Sequence, residues 1–208
     1  MIHLAGFKYA GVSVTRPLHT YAQNVVGGHV LLQECVDAGV QRFVFSSSAA
    51  VYGTPDVDLV DEQTPTRPES PYGESKLVTE WLLRDVAKVT SLRQTSLRYF
   101  NVVGSGYDDI YDSSPHNLFP LVFRALIEGR TPRINGTDYA TPDGTCVRDY
   151  VDVAALAQAN VRAADALAGG KDLEPVYNLG SGSGSSVRQI MDAISPGTLF
   201  GFEPDIAS

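Results

Sequence analysis

Basic residues, cysteines and long apolar runs are all scarce in this sequence. Lys and Arg number 16 against 24 Asp and Glu, giving the 208 residues a formal net charge of −8. A surface of that sign repels phosphate, so recognition of DNA or RNA is not expected. The two cysteines, Cys35 and Cys146, lie far apart and form no C-x-x-C pattern. They read as buried, reduced thiols of a cytoplasmic protein. His3, His19, His29 and His116 share no helical face and no ligand spacing, so no metal site is expected. No apolar run reaches the roughly 18 residues that a membrane helix needs. The opening Met-Ile-His-Leu-Ala-Gly has neither a basic segment nor a small-residue cleavage site, so no secretory leader is expected. What remains is a soluble, acidic enzyme or binding domain, with 43% apolar and 19% charged residues as in ordinary globular proteins.

The elements that are present alternate between strand and helix. Met1–Ala5 reads as a short apolar strand ending at Gly6. Pro17–Ala38 reads as a helix: Pro17 suits its first turn, Val25, Leu31, Leu32 and Val36 recur with helical spacing, and Gly39 suits its end. Arg42–Ser46 is a buried strand, and Gly53–Ser70 a loop. Pro71 opens a second helix to about Val89, with Leu77, Trp81, Leu82 and Val86 near one another. Thr95–Phe100 is a further strand. This rhythm indicates an α/β fold with a parallel sheet covered by helices. After Asn101 the pattern loosens. Loops over 104–116 and 131–147 flank a helix over 117–128. A strand over 149–153, a helix over 154–167, a strand over 176–179 and a helix over 187–194 follow.

Two clusters carry chemistry. In Ser46-Ser47-Ser48-Ala49-Ala50-Val51-Tyr52-Gly53, three hydroxyls sit where a parallel strand runs out, the side of an open α/β sheet on which ligands bind. In Pro71-Tyr72-Gly73-Glu74-Ser75-Lys76, Tyr72 and Lys76 stand one helical turn apart on one side of a helix start. An ammonium beside a phenol favours the phenolate and lowers its pKa, making Tyr72 a usable base. With 10 Tyr and 4 Lys in the chain, a chance Tyr-x-x-x-Lys match is expected about 0.2 times, so the context supplies the weight. Arg148 offers the paired donors that suit a diphosphate; its alternative is an ion pair with Asp149 or Asp143. Gly180-Ser-Gly182-Ser-Gly184-Ser-Ser186 imitates a dinucleotide loop. Reading G-x-G-x-x-G from Gly180 puts Ser185 in the last position, so this segment reads as structural.

These motifs resemble the extended short-chain dehydrogenase/reductase (NAD-dependent epimerase/dehydratase) family. The resemblance runs from residue 1 to about 194. It includes His3-Leu4-Ala5-Gly6-Phe7-Lys8, both clusters above, Arg98-Tyr99-Phe100-Asn101, Asn117-Leu118, the run from Gly136 to Tyr150, and Tyr177-Asn178-Leu179-Gly180. Ser48-Ala49-Ala50 stands where the family's dehydratases usually carry Thr-Asp-Glu, which favours a sugar-nucleotide 4-epimerase. The resemblance implies a partial doubly wound (Rossmann-like) parallel sheet plus a small loop-rich substrate-binding part. Residues 1–104 would form the remainder of the NAD-binding domain. Residues 105–208 would form the substrate part, interleaved with the sheet over 149–180.

The implied activity interconverts UDP-glucose and UDP-galactose, by hydride transfer from sugar C4 to NAD and back to the other face of the keto sugar. Tyr72 would be the base, Ser48 would bond the same sugar oxygen, and Lys76 would bind the nicotinamide ribose. Leu4, Ala5, Gly6, Lys8, Gln23, Ser46, Tyr72, Lys76 and Phe100 would contact NAD. Ser48, Asn101, Asn117, Leu118 and Arg148 would contact the UDP-sugar. Homodimers, paired through the helices over 17–38 and 71–89, are implied as well. Other readings are a non-catalytic remnant of such an enzyme, or a 4-epimerase for UDP-N-acetylhexosamine or a UDP-uronate.

The sequence departs from the family pattern in places. Gln23 replaces a common Asn, Asp152 a common His and Ala155 a common Asp. No family pattern is found over Ser195–Phe202. The family's opening strand, Gly-rich turn and helix, which meet the cofactor pyrophosphate, have no counterpart here. The sequence aligns from the family's fourth strand, about 70 residues in, or roughly two strand–helix units. The polypeptide by itself is therefore expected to hold NAD weakly or not at all and to sustain no epimerase turnover. Cofactor retained through purification, together with turnover, would contradict this.

Overall fold

The computed structural model describes residues 1–195 and 204–207; residues 196–202 of the unmatched stretch noted above lie outside them. The chain divides into two compact units, residues 1–100 with 155–179, and residues 101–154 with 180–208. The division thus falls at residue 100 rather than 104, and the return to the sheet unit spans 155–179 rather than 149–180.

The first unit is built on a four-stranded sheet. Its strands are β1 (Ile2–His3), β2 (Arg42–Ser48), β3 (Arg93–Tyr99) and β7 (Val176–Leu179), in the order β1-β2-β3-β7. All the pairings are parallel, with Ser46 opposite Leu97 and Ser48 opposite Tyr99. Five consecutive residues of β2 are buried, as expected of a strand covered on both faces. Phe43 and Phe45 pack with Leu32, Cys35, Leu83 and Leu92. Val44, between them in sequence, packs instead with Leu97 and Leu167, so the period of two places alternate residues in separate clusters.

Helices α3 (Gly27–Asp37) and α4 (Pro71–Val89) supply the first cluster, and α6 (Val153–Ala168) contributes to the second. In α4 the Ser70 side chain accepts from the Gly73 amide at 3.2 Å, and Pro71 occupies the first turn; these are the cap and start that stop the helix from fraying. Leu83 is its fully buried apolar residue, whereas Trp81, expected on the apolar face, is 46% exposed. The helix expected over 17–38 is found over 17–37, with a π-helical turn (Ala22–Val26) set between α2 (Pro17–Tyr21) and α3. A π turn inserts an extra residue into a helix and is concentrated at functional sites; here it carries the buried Asn24. A short helix α1 (Ala10–Thr15) precedes it, where the sequence pattern gives no element. Cys35 is buried, but Cys146 is only partly so, and both are free thiols.

The second unit holds a sheet of β4 (Asn101–Val103), β6 (Val147–Asp152) and β8 (Gly184–Ser186), with β4 parallel and β8 antiparallel to β6. It also contains a parallel pair, β5 (Arg133–Asn135) and β9 (Asp205–Ala207). β6 begins two residues earlier than its local pattern suggests, because β8 pairs with Val147–Asp149. Such tertiary pairing overrides local propensity. Helices α5 (Leu118–Ile127) and α7 (Val187–Ile194) enclose a core of Val122, Ile134 and Met191. Ser186 and Gln189 form a reciprocal capping box at the start of α7.

Candidate active site

In the first unit the candidate chemistry gathers at the carboxyl end of β2. Ser48 ends the strand, and its side chain accepts from the Ala50 amide at 3.2 Å, capping a single 3-10 turn over Ala49–Tyr52. Tyr72 lies in the first turn of α4 beside Ser48, whose side chain favours the ionised form of the phenol. The Tyr72 amide donates to Ser13 Oγ at 3.1 Å. Gly73 makes this approach possible: a Cβ there would lie 2.5 Å from the Ala50 carbonyl oxygen, a distance that forces one backbone away from the other.

Lys76 follows one turn on and is 6% exposed. Its Nζ donates to the Ser46 carbonyl at 2.8 Å and lies 5.0 Å from the Phe45 ring centroid and 5.8 Å from that of Tyr72. Burial disfavours the charged form and brings its pKa down to about 8. His3 stacks on Phe45 at 5.7 Å, and burial together with the charge of Lys76 holds its pKa below the usual histidine value. The expectation that Lys76 depresses the Tyr72 pKa needs correction. Burial raises that pKa, and the neighbouring Ser48 side chain is what opposes the rise. The ammonium is engaged by the Ser46 carbonyl instead.

Among the other residues expected to meet NAD, Leu4, Ala5 and Gly6 are exposed just beyond β1, and Lys8 is exposed with its Nζ 5.8 Å from the Tyr9 ring centroid. A Cβ on Gly6 would stand 3.7 Å from Lys76 Nζ and 3.2 Å from Asn24 Oδ1, so Gly6 borders Lys76. Phe100 is partly buried and its amide donates to the Leu179 carbonyl at 3.3 Å. Ser46 is buried, and its carbonyl accepts from Lys76 Nζ. Gln23 is exposed on the π turn. Its neighbour Asn24, which sequence reasoning missed, does the holding. Its Oδ1 accepts from the Phe7 amide at 2.7 Å, and its Nδ2 donates to the Phe7 carbonyl and to Ser75 Oγ, each at 2.9 Å. The only signal for Asn24 was a polar residue beside the apolar stripe of its helix.

The expected substrate residues other than Ser48 lie in the second unit. Asn101 Nδ2 donates to the Asp149 carbonyl at 3.2 Å, and the Asn117 side chain donates to the Asp112 carboxylate. Leu118 packs on the core of Val122, Ile134 and Met191. Arg148 is exposed and bonds the carbonyl of its own neighbour Val147 at 2.8 Å. The ion pair considered for it is not formed among the described residues. Asp149 accepts instead from the Ser181 and Gly182 amides at 2.8 and 2.9 Å, and Asp143 from the Thr145 amide and the Ser186 hydroxyl. The Gly-rich turn is thus filled by a side chain of its own unit. Among the described residues, no three His, Cys, Asp or Glu side chains converge as a metal site.

A serine at a parallel strand end thus stands beside the tyrosine of a Tyr-x-x-x-Lys helix start. The model of the NAD dependent epimerase/dehydratase family matches residues 1–180. The chain belongs to this family. Among curated members it is 43% identical over 201 residues to a UDP-glucose 4-epimerase of Pasteurella multocida, covering 93% of this chain and 59% of that one. It is likewise 43% identical over 196 residues to one of Azospirillum brasilense, covering 92% and 56%. The chain therefore spans less than two thirds of the length of these family members. A crystal structure of UDP-glucose 4-epimerase from Brucella ovis in complex with NAD superposes with a TM-score of 0.90 at 37% identity, covering 99% of this chain and 64% of that one. One from Bifidobacterium longum in complex with NAD+ and UDP gives 0.86 at 39% identity, covering 99% and 63%.

The buried lysine of this family member leaves a measurable signature. Its pKa is lowered on folding, from the ordinary 10.5 to about 8, so between these values the unfolded chain binds more protons and stability rises with pH. Lys76 therefore destabilises the fold below about pH 8, and that penalty, on the order of 3 kcal/mol, is relieved by about pH 10.5. Urea unfolding of the native chain and Lys76→Met is expected to show their stability difference shifting in favour of the native chain across this range. A pH-independent difference would contradict it.

Proposed function

We propose that this chain carries the acid–base centre of a UDP-hexose 4-epimerase acting on UDP-glucose and UDP-galactose. The observation that carries the reading is the placement of Tyr72 beside Ser48 at the end of β2, with Lys76 one turn away. NAD is the cofactor of the family, and the residues present fit its nicotinamide ribose. Lys76 Nζ has three donors and spends one on Ser46, beside the exposed Gly6. Leu4, Ala5, Lys8, Gln23 and Phe100 are the further candidates for contact.

When bound, NAD supplies reversible removal of a hydride at the sugar carbon. The proton is the work of this chain's residues. Tyr72 takes the proton of the sugar 4-hydroxyl as that carbon is oxidised and returns it on reduction. Burial holds Tyr72 as the phenol, the form needed for the returning step, while the neighbouring Ser48 favours the phenolate needed for the first. Ser48 also orients the sugar oxygen, and Asn101, Asn117, Leu118 and Arg148 hold the UDP portion. Arg148, exposed and without an ion pair among the described residues, suits the diphosphate.

Pairing of two copies through the helices of the first unit is part of the same reading. Its support is the apolar surface there: Leu18 is 83% exposed, Val14 61%, Val26 58% and Val30 53%. The free thiols agree with a reducing, cytoplasmic setting. No helix among the described residues is long and apolar enough to cross a membrane.

By itself the chain is expected to sustain no turnover, whereas NAD+ supplied at millimolar concentration offsets its weak hold on the cofactor; under that condition conversion of UDP-galactose to UDP-glucose is expected, and Tyr72→Phe is expected to slow it by about 100-fold or more. Absence of product at every supplied NAD+ concentration overturns the assignment. Light scattering is expected to give twice the mass of one chain for the native protein and a single chain for Leu18→Asp; a native monomer removes the dimer.

A further inference from the structure

Glu80 lies on α4 one turn beyond Lys76, and it is 6% exposed. Nothing in the proposed proton transfer uses it, yet its carboxylate is fully engaged. Oε1 accepts from Ser47 Oγ at 2.5 Å and from Arg98 Nε at 2.9 Å, and Oε2 accepts from Arg98 Nη2 at 2.7 Å. The remaining arm of Arg98 donates to the Tyr52 hydroxyl at 2.8 Å, and that hydroxyl donates to Asn178 Oδ1 at 2.8 Å. One carboxylate thereby ties α4 to β2 and β3, and through Tyr52 to the 3-10 turn and β7.

The placement of these ties is informative. Ser47 stands between Ser46, whose carbonyl holds Lys76, and Ser48, which neighbours Tyr72. Tyr52 closes the turn that Ser48 caps, and Gly73 rests on the Ala50 carbonyl of that turn. The ion pair thus grips the same strand end and the same helix as the acid–base residues. Stability is a weak reason for such a pair, because well-packed apolar side chains of similar volume commonly serve a buried position as well or better. Direction is a stronger one. Bidentate guanidinium–carboxylate bonds fix orientation, whereas apolar contacts tolerate sliding. A helix advances about 1.5 Å per residue, so an axial slip of one residue would take the Tyr72 hydroxyl out of reach of Ser48.

We infer that Glu80, held by Arg98 and Ser47, is a positioning residue that sets the axial register of α4 against β2 and so keeps Tyr72 beside Ser48. This rests on the reading of Ser48, Tyr72 and Lys76 as the acid–base centre. The test reads that juxtaposition itself. With tyrosines labelled at Cζ, the Tyr72 NMR signal is identified by its loss in Tyr72→Phe, and its displacement by Ser48→Ala measures the influence of Ser48 on it.

In the apolar pair Glu80→Met with Arg98→Met, the displacement is expected to fall to about a third or less of its native size. If that pair fails to fold by circular dichroism, Glu80→Gln carries the same measurement with the same expectation. A displacement of native size in the folded variant overturns the inference. Where the native chain turns over with supplied NAD+, kcat is expected to drop by about tenfold or more with KM within about twofold. A native chain without turnover refutes the proposed function alone, and the NMR comparison still decides the role of Glu80.

Discussion

An ammonium group carried into the interior of a sheet domain has to find an acceptor there, and the Ser46 carbonyl is that acceptor for Lys76. Seating the lysine so deeply costs solvation, as its lowered pKa records. That cost is tolerable only while α4 lies hard against the end of β2. The close contact of Gly73 with the Ala50 carbonyl allows the helix to come that near. The Phe43, Phe45, Leu83 and Leu92 cluster beneath holds it there by burial of apolar surface. Tyr72 reaches Ser48 as a by-product of the same approach.

Two faces of α4 are occupied by polar side chains that would be liabilities if unpaired. Lys76 and Glu80 meet the strand ends, while Ser75 receives Asn24 from the π turn. The side chain of Asn24 closes both backbone groups of Phe7, so the loop beyond β1 is fixed by a helix distant in sequence. A strand end, a loop and a helix start are thus held by directional bonds rather than by packing alone, the arrangement that pre-organised sites require.

Much of this was legible in the residues. The buried run Arg42–Ser46, the cap and proline before α4, and the one-turn spacing of Tyr72 and Lys76 are local patterns, and local patterns survive in a bare sequence. The misplacements have physical causes. The π turn at Ala22–Val26 presents Asn24 to Phe7, a tertiary partner that no periodicity in the helix announces. β6 and β8 define each other's bounds by pairing, so neither could be delimited alone. The upward pKa of Tyr72 depends on how deeply its hydroxyl is buried and on where the Lys76 ammonium turns, and spacing along a helix carries neither. Arg98 was noticed within a motif, but Glu80, 18 residues away, looked like any charged residue of a solvated helix face.

The Asp149 carboxylate in the turn over Ser181 and Gly182 changes what that turn can do. Backbone amides converging after a strand and before a helix are a natural receptor for a free anion. Here the receptor has a tethered competitor whose effective concentration is that of an intramolecular ligand, typically millimolar or above. A phosphate arriving from solution would have to displace a group that cannot diffuse away. The segment that most imitates a nucleotide loop in the sequence is thereby inhibited from within, and its amides serve as a latch for β6.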